Sequence, residues 1–518
     1  MPPQRFSAVL AEEAAAAAED GGLRLWWRRK ESFLGVAIMV KFDLGYFLFF
    51  ILIIGTANGG IEGVIKVNYK FSGSERTLTA LKAHDEKRHL RLLAGVDLPI
   101  GGTGRPDSVG LYYAKIGIGT PSNDYYVQVD TGSDIMWVNC VGCDQCPRRG
   151  YHGLELAFYN RKDSLSGKLI SCGHQFCKDV NGGSVSGCYG NNSCYFNENY
   201  GDGSYSMGYF VEDVVQYDLV SGDLQTNSTN GTVIFGCGGT QSVDLRSSDD
   251  ALDGVLGFGK SNSSMLSQLA SSGKVKKMFA HCLDGVNGGG IFAIGNVVKP
   301  KVAMTPLVPN QQYYNVNMTA VEVGFQFLNL SAEVFTNGVN KGVIIDSGTT
   351  LAYLPEVIYG PLVKKILSWQ PDLRLRTVND EYTCFGYSGS VDDGFPQVNF
   401  HFENSLSLRV RPHEYLFPFE DLFCIGWQNS GSLSRDKWNL TVFGDLVLSN
   451  KLVLYDLEKQ AIGWTEYNCS SSIGLKDEIT GSVHLVGAHS LSGASSVTAQ
   501  MALLLVALLH YSLLNRQS

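Results

Sequence analysis

The sequence has few charged residues, and none of its apolar runs is long enough to span a bilayer. Charged residues make up 18% of the 518 positions, with a formal net charge of −9 at pH 7. That acidic balance argues against nucleic acid as a partner and suits an enzyme that works in acid. The two most apolar stretches, residues 44–54 and 501–509, fall short of the roughly 20 residues of a transmembrane helix.

The residue frames used for acyl-enzyme catalysis are also missing. No histidine accompanies a nucleophilic serine or cysteine in a recognised frame, so this chemistry is not expected. Glycine is abundant instead, with 59 residues, and it separates short alternating apolar segments together with asparagine and aspartate. This pattern predicts an all-β protein, and the length allows two lobes with buried cores.

Two segments share one pattern, in which an apolar strand is followed by aspartate, a hydroxyl residue, glycine, a hydroxyl residue and a second apolar strand. They are Asp130-Thr131-Gly132-Ser133, within residues 127–137, and Asp346-Ser347-Gly348-Thr349, within residues 343–353. One such motif is a weak signal, whereas two in matching apolar frames indicate an internal duplication. In each, the strand delivers a carboxylate and the glycine permits a tight turn behind it.

Peptide hydrolysis by a pair of carboxyl groups is a reaction that needs two such turns. Two acids within hydrogen-bond reach cannot both ionise, so they share a proton and titrate as a pair. The ionised acid can then activate a water molecule, while the protonated acid polarises the scissile amide. The motifs therefore predict a peptide hydrolase.

From about residue 109 to 470, the chain resembles the pepsin-type aspartic proteases, and more closely the plant nepenthesin-like enzymes with an anchored C-terminus. Besides the two motifs, the resemblance rests on Tyr200-Gly201-Asp202-Gly203-Ser204, Asp253-Gly254-Val255-Leu256-Gly257-Phe258-Gly259 and Val442-Phe443-Gly444-Asp445. It implies a bilobal all-β fold, with a cleft between two related β lobes and a few short helices. An apolar-apolar-glycine segment, here Val255-Leu256-Gly257 and Val442-Phe443-Gly444, is expected behind each aspartate turn.

By this resemblance Asp130 and Asp346 are the catalytic dyad. Ser133 and Thr349 stand where hydroxyl groups bind the outer carboxylate oxygens. Thr131 and Ser347 stand where the two turns brace each other, and Gly132 and Gly348 complete the motifs. Asp134 is an additional acid, which is expected either to alter the titration of the dyad or to face solvent.

The resemblance also implies a mobile hairpin over the cleft, called the flap here, formed by Tyr200, Gly201, Asp202 and Gly203. Glycines beside an aromatic residue suit a hairpin that closes over substrate. Tyr200 is implied to be the flap tyrosine, and the indole N–H of Trp137 is implied to hold its hydroxyl group.

Twelve cysteines indicate disulfide bonds in an exported protein. They are Cys140, Cys143, Cys146, Cys172, Cys177, Cys188, Cys194, Cys237, Cys282, Cys384, Cys424 and Cys469. Seven fall within residues 140–194, an odd number, so at least one bridge must leave that segment if all are oxidised. A zinc site at Cys140, Cys143 and Cys146 is the disfavoured alternative, and no cofactor or metal is expected. Cys384 and Cys424 resemble the family's second-lobe bridge.

Five regions follow along the chain. Residues 1–57 are a targeting segment with a signal-like apolar core, for which translation from Met39 is preferred over retention as a signal anchor. Residues 58–105 are a propeptide with a basic helix, which either covers the acidic cleft or is simply solvated. Residues 106–298 form the first lobe, with a cysteine-rich insertion at 140–194. Residues 299–470 form the second lobe, in which Val357, Leu362, Ile366 and Leu367 mark an amphipathic helix.

Residues 471–518 form a Ser/Gly-rich tail that ends in an apolar segment. Small residues followed by a polar spacer and an apolar end fit a GPI-anchor signal, with Ser490 and Ser492 as candidate attachment residues. A tail-type transmembrane segment is the alternative. Eight N-x-[ST] sites agree with export through the secretory pathway, at Asn191, Asn227, Asn230, Asn262, Asn317, Asn329, Asn439 and Asn468.

Two functions are compared. The first is a monomeric endopeptidase that cuts polypeptides, works at acidic pH and is held by a GPI anchor on the extracellular face of the plasma membrane. The second is a catalytically silent relative that acts as an inhibitor or wall-binding protein. The two intact motifs and the intact flap favour the enzyme.

Overall fold

The computed structural model describes residues 24–30, 33–39, 95–106, 110–143, 145–150, 155–183, 186, 188–189, 192–201, 203–242, 251–336, 342–379, 382–432 and 440–491. The chain divides into a unit of residues 1–81 and a unit of residues 82–518. In the first unit, β1 (Arg24–Lys30) and β2 (Phe33–Met39) form an antiparallel hairpin. The rest of the predicted targeting segment, and most of the predicted propeptide with its basic helix, lie outside the described residues.

The first lobe consists mainly of strands, because alternate residues are apolar and turn inward. Its strands are β3 (Val96–Asp97), β4 (Ile100–Thr103), β5 (Leu111–Ile118), β6 (Asn123–Asp130), β7 (Trp137–Asn139), β8 (Lys168–Leu169), β9 (Tyr195–Asn199), β10 (Tyr205–Gly222), β11 (Gln225–Gln241), β12 (Gly254–Gly257), β13 (Met278–Leu283), β14 (Gly290–Ile294) and β15 (Asn296–Lys299). Two short helices accompany them, α1 (Gln175–Val180) and α2 (Met265–Ser271).

The second lobe has the same character. Its strands are β16 (Met304–Pro306), β17 (Asn315–Val316), β18 (Met318–Val323), β19 (Gln326–Phe327), β20 (Val343–Ile345), β21 (Ala352–Leu354), β22 (Leu375–Val378), β23 (Tyr382–Phe385), β24 (Val398–Phe402), β25 (Ser407–Val410), β26 (Leu416–Phe419), β27 (Leu422–Ile425), β28 (Trp427–Asn429), β29 (Thr441–Phe443), β30 (Lys451–Asp456) and β31 (Ala461–Glu466). The helices are α3 (Glu333–Thr336), α4 (Glu356–Leu367), α5 (Val391–Gly394) and α6 (Asp445–Leu448), with 3₁₀ turns at Glu403–Ser405, Pro412–Glu414 and Ser430–Ser432. The all-β fold class predicted from the sequence is confirmed.

The two lobes repeat one strand arrangement. In the first, β6 pairs in parallel with β12, which pairs antiparallel with β7, which in turn pairs in parallel with β11. In the second, β20, β29, β21 and β28 pair in the same order and with the same directions. The strands β12 and β29 contain the two apolar-apolar-glycine segments, so the structure confirms the internal duplication.

A single large sheet joins the lobes. Its order β16-β31-β30-β13-β14-β3-β10 places second-lobe strands beside first-lobe strands. Aromatic side chains fill the core at this junction, where Phe279 and Tyr455 stack with ring centroids 4.2 Å apart. Tyr314 of the second lobe donates a hydrogen bond to the carbonyl of Phe258 in the first, at 2.7 Å. The lobes are therefore fixed to each other through buried backbone and rings.

The folded body extends beyond two boundaries that were assigned from the sequence. The strands β3 and β4 fall within residues 58–105, and yet Val96, Leu98 and Ile100 are fully buried in the main sheet. Beyond residue 470, β32 (Ser472–Lys476) and β33 (Val483–Gly487) form a three-stranded sheet with β15. These strands are short, and β3 and β32 pair with strands that are far away in the sequence, namely β10 and β14 for β3 and β15 for β32.

All twelve cysteines form disulfides. The pairs are Cys140–Cys237, Cys143–Cys146, Cys172–Cys188, Cys177–Cys194, Cys282–Cys469 and Cys384–Cys424. The bridge from Cys140 leaves the cysteine-rich segment, as the odd count requires, and the expected second-lobe bridge is confirmed. The cysteines of the disfavoured zinc alternative are thus engaged in disulfides.

The amphipathic helix predicted around Val357, Leu362, Ile366 and Leu367 is α4, with Pro355 at its N-cap. Leu362 and Ile366 are buried as expected, but the inward-facing residue of the first turn is Ile358. Val357 is 52% exposed, so its assignment to the apolar side was wrong. Among the described residues, no helix has the length and apolar character needed to cross a membrane.

Candidate active site

The two aspartate turns lie at the ends of matching strands. Asp130 is the last residue of β6, and Asp346 follows β20 directly. Each turn is tied to the apolar-apolar-glycine strand beside it. The amide of Phe258 donates to the carbonyl of Asp130 at 2.7 Å, and the amide of Asp346 donates to the carbonyl of Phe443 at 3.0 Å. The duplicated scaffold therefore delivers both carboxyl groups to one place.

The turns hold each other through their second residues, Thr131 and Ser347. The amide of Ser347 donates to the Thr131 hydroxyl at 2.9 Å, and that hydroxyl donates to the carbonyl of Ile345 at 3.3 Å. The Ser347 hydroxyl donates to the carbonyl of Val129 at 3.2 Å. All these groups are buried, so water does not compete for the hydrogen bonds that join the two turns.

The close approach of the turns explains the two glycines. A Cβ placed on Gly132 would lie 2.6 Å from the Asp346 carboxyl group, and one on Gly348 would lie 2.1 Å from Oδ1 of Asp130. Any larger residue would displace the opposite carboxylate. The two carboxyl groups are close enough to hydrogen-bond to each other.

Each carboxyl group accepts hydrogen bonds from its own turn. Oδ1 of Asp130 accepts from the amide of Gly132 at 2.7 Å, and Oδ2 accepts from the Ser133 hydroxyl at 2.5 Å. For Asp346, the donors are the amide of Gly348 at 2.8 Å and the Thr349 hydroxyl at 2.6 Å. The structure thus places both outer hydroxyl groups where the sequence predicted them.

Burial dominates the electrostatics of the pair. Asp130 is only 6% exposed, and this burial, followed by the nearby charge of Asp346, raises the pKa of Asp130 far above its ordinary value. The hydrogen bonds from Ser133 and Gly132 oppose that shift without cancelling it. One proton is therefore retained between the two acids well beyond the pH at which an exposed aspartate would lose it.

The predicted flap is a hairpin of β9 and β10 above this pair. The Tyr200 amide donates to the carbonyl of Ser204 at 2.8 Å, and Gly203 closes the turn with a positive φ of 88°. The Trp137 indole N–H donates to the Tyr200 hydroxyl at 2.6 Å, as expected. Gly201 is exposed at the tip, and Asp202 lies outside the described residues.

Two further acids differ from what the sequence led us to expect. Asp134 neither faces solvent nor bonds to the dyad. Its carboxylate accepts from the amide of Ser261 at 2.9 Å, and burial raises its pKa. Asp445 was recognised only as part of a motif, but it is 1% exposed, and its carboxylate has no hydrogen-bond partner among the described residues. Burial, together with the charges of Asp346 and Asp130, raises the pKa of Asp445 well above its ordinary value.

Within the described ranges, no group of three or more His, Cys, Asp or Glu residues has the arrangement needed to hold a metal ion. The site that the structure describes is therefore a pair of buried, hydrogen-bonded carboxyl groups beneath a hairpin, between two related β lobes. That combination of fold and site is characteristic of pepsin-type aspartic proteases.

Comparison with known proteins places the chain in the same class. Residues 112–296 match the family described as "Xylanase inhibitor N-terminal", and residues 313–466 match "Xylanase inhibitor C-terminal". "Aspartic proteinase 36" of Arabidopsis thaliana is 46% identical over 86% of this chain and 92% of its own length. "Aspartic proteinase 39" of the same plant is also 46% identical, with the same coverage. The chain belongs to the plant aspartic proteinases and is an aspartic-type endopeptidase.

More distant matches agree with this family. "Aspartic proteinase nepenthesin-2" of Nepenthes gracilis is 26% identical over 70% of this chain and 79% of its own length. Two solved structures share the fold at 18% identity. One, titled "Crystal structure of edgp", has a TM-score of 0.59 over 72% of this chain and 95% of its own; the other, conglutin gamma from lupine seeds, has a TM-score of 0.58 over 73% and 96%.

Proposed function

We propose that Asp130 and Asp346 are the catalytic residues of this endopeptidase and that the enzyme works at acidic pH. The observation that carries the proposal is the meeting of two buried carboxyl groups from duplicated turns, close enough to hydrogen-bond. One proton on the pair leaves one acid to activate water and the other to polarise the scissile carbonyl. Polypeptides are the substrates, and no metal or cofactor takes part.

The surrounding hydrogen bonds prepare the dyad for this chemistry. The hydrogen bonds of Thr131 and Ser347 between the two turns fix the distance between the acids. The site therefore needs little reorganisation during the reaction. Ser133 and Thr349 donate to the outer oxygens, which leaves the inner oxygens to share the proton. The flap, with Tyr200 held by Trp137, lowers over an extended peptide and excludes water.

A pH profile of peptide cleavage tests the proposal. The raised pKa of Asp130 means that the shared proton is lost only as pH rises through that raised value, so activity falls on the alkaline side. On the acid side, activity falls when the second carboxylate is also protonated. We expect a bell-shaped profile that pepstatin abolishes. Cleavage that persists in pepstatin would contradict the assignment of the dyad.

A silent inhibitor is the second candidate, because both matching family models are described as those of xylanase inhibitors. The intact dyad and the 46% identity to proteins named aspartic proteinases favour the enzyme. Processed protein that cleaves no peptide from pH 2 to 8, yet inhibits a xylanase, would decide for the inhibitor.

The structure also suggests where the chain is processed. Because Val96 to Thr103 form part of the main sheet, we place the end of the propeptide before Gly95 rather than at residue 105. At the other end, the backbone of His489 and that of Leu491 are hydrogen-bonded to Gly290 and Ile100, which favours Ser492 over Ser490 for GPI attachment. Sequencing the N-terminus of mature protein and mapping its C-terminal peptide would test both positions.

Passage to the cell exterior and anchoring remain part of the proposal. Six disulfides agree with an oxidising compartment. Five of the N-x-[ST] asparagines are exposed and accessible to glycosylation: Asn227, Asn230, Asn262, Asn329 and Asn468. Asn317 is partly buried, and Asn191 and Asn439 lie outside the described residues. Release of a monomeric enzyme from membranes by a GPI-specific phospholipase would support the anchor, and retention of the enzyme would contradict it.

A further inference from the structure

A carboxylate on the flap has no role in the mechanism above. Glu198 lies on β9, opposite Ser206 on β10, two residues before Tyr200. Successive strand residues point to opposite faces, so Glu198 shares its face with Phe196 and Tyr200. Phe196 packs in the cluster that contains Trp137, and the Tyr200 hydroxyl is bound by the Trp137 indole. The Glu198 side chain therefore points beneath the flap, toward the cleft.

The groups around Glu198 come from both lobes. Asp134, which follows the first aspartate turn, is the charged neighbour that acts on it. From the second lobe, Tyr313 lies within electrostatic reach of Asp346, Glu198, Asp134 and Asp130. Glu198 thus faces the same space between the lobes as the dyad.

Nothing within the described part of the chain neutralises this carboxylate. Glu198 is partly buried, and its carboxylate has no hydrogen bond or ion pair with a described residue. Lys260 and Lys277 act on the neighbouring Asp134, and Lys260 also donates to the carbonyl of Gln311. Burial, and then the charge of Asp134, raises the pKa of Glu198 to about 7. A partly buried carboxylate without an opposite charge lowers the free energy of unfolding, unless a ligand supplies the partner.

We propose that Glu198 is a specificity-determining residue that takes a lysine or arginine side chain of the peptide substrate beneath the flap. A cationic side chain there would form a charge-assisted hydrogen bond with Glu198 and would also be attracted by Asp134. An acidic substrate side chain would meet two carboxylates and be rejected. The proposal rests on the proposed function of the dyad and extends it to the class of substrate.

The preference should depend on pH. Glu198 holds its proton in acid, so the site then accepts uncharged side chains, and it gains its negative charge as pH rises through about 7. Asp134 changes charge in the same direction, whereas Tyr313, whose pKa burial raises, stays neutral in this range. The selectivity for a basic side chain therefore grows toward neutral pH.

The test uses peptides that share one cleavage site and carry lysine, norleucine or glutamate at one position at a time on either side of it. We expect wild-type kcat/KM at pH 7 to favour lysine over norleucine by about tenfold at one position, and less in acid. In Glu198→Gln this ratio should fall to about twofold or less at every pH, because only the attraction of Asp134 remains, and the norleucine peptide reports any general loss of activity. Glu198→Lys should favour the glutamate peptide.

Glu212→Gln is the matched control, because Glu212 lies on β10 in a surface ion pair with Lys168 and should leave the lysine preference unchanged. A lysine preference as large in Glu198→Gln as in wild type, or a wild-type enzyme without one, would overturn the proposal. Failure of the wild type to cleave any of the peptides would count against the dyad instead.

Discussion

In the first lobe, Asp130 accepts from the amides of Gly132 and Ser133 and from the Ser133 hydroxyl, whereas in the second lobe Asp346 accepts from the Gly348 amide and the Thr349 hydroxyl. The scaffold behind them is the same, since β6-β12-β7-β11 and β20-β29-β21-β28 pair in identical order. Duplication has therefore kept the parts that bring two carboxyl groups together and allowed the surroundings to differ.

The surroundings of the two aspartates differ mainly in the flap and in the number of disulfides. The first lobe has the flap and four disulfides that lie wholly within it, while the second lobe has one such disulfide, between Cys384 and Cys424. At the position that matches Phe258 in the first lobe, the second lobe has the buried acid Asp445. From this comparison we expect the first lobe to control which substrates bind, and the second lobe to supply the partner acid and a site sensitive to pH.

The sharpest test of the comparison is to remove each acid in turn. Asp130→Asn and Asp346→Asn should each lower kcat by roughly 10³-fold, because either change leaves the pair unable to supply both acid and base. Steady-state cleavage of a fluorogenic peptide measures the loss, and thermal unfolding checks that the variants fold. If one variant retained most of its activity, the two turns would not share the chemistry.

The second test compares a disulfide from each lobe. Replacing Cys140 and Cys237 with alanine should lower the free energy of unfolding by about 2–5 kcal/mol. The bridge spans 97 residues, against 40 for Cys384–Cys424, so its removal should cost about 0.8 kcal/mol more by chain entropy. Denaturant unfolding of the two double variants measures the difference, and a larger loss from the second-lobe pair would reverse the comparison.

The third test compares Trp137 and Tyr353, which occupy matching positions after the two aspartate turns. Trp137→Phe removes the hydrogen bond to Tyr200, and we expect kcat/KM to fall about tenfold because the flap is no longer held over the substrate. Tyr353 occupies the equivalent place in the second lobe, whereas the flap tyrosine is bound by Trp137, so Tyr353→Phe serves as the control, with a change below about twofold. Equal losses in both variants would show that the effect is structural.

The smallest expected effect concerns Asp445. Its pKa is raised by burial, so the folded state binds its proton more tightly than the unfolded state does. The resulting stability is present in acid and is lost as pH rises above the ordinary aspartate value toward the raised one. Asp445→Asn is neutral throughout and should melt about 3 °C above wild type at pH 7 but not at pH 3. A uniform shift at both pH values would contradict this account.

The sequence was sufficient to predict that Asp130 and Asp346 end matching strands, because a short motif, repeated in matching apolar frames, determines both the strand end and the turn. The partner of Tyr200 was also predictable from the family resemblance. The orientation of Asp134 was not, because it depends on the loop around Ser261, which is distant in sequence. Disulfide pairing, the burial of Val96 and the exposure of Val357 likewise depend on contacts between remote segments. Glu198 was missed because its environment exists only once the flap is folded.

The end of the described chain is attached to the first lobe at several points. The Leu491 amide and carbonyl bond to Ile100 and Tyr113, the His489 imidazole lies 2.9 Å from the Asp97 carboxylate, and Cys282–Cys469 adds a covalent link. If residues beyond Leu491 tether the enzyme to a surface, a pulling force would be borne by these attachments before it reached the catalytic turns. Tension on the tether would then leave the distance between the two acids unchanged. The enzyme would stay active while the membrane to which it is attached moves.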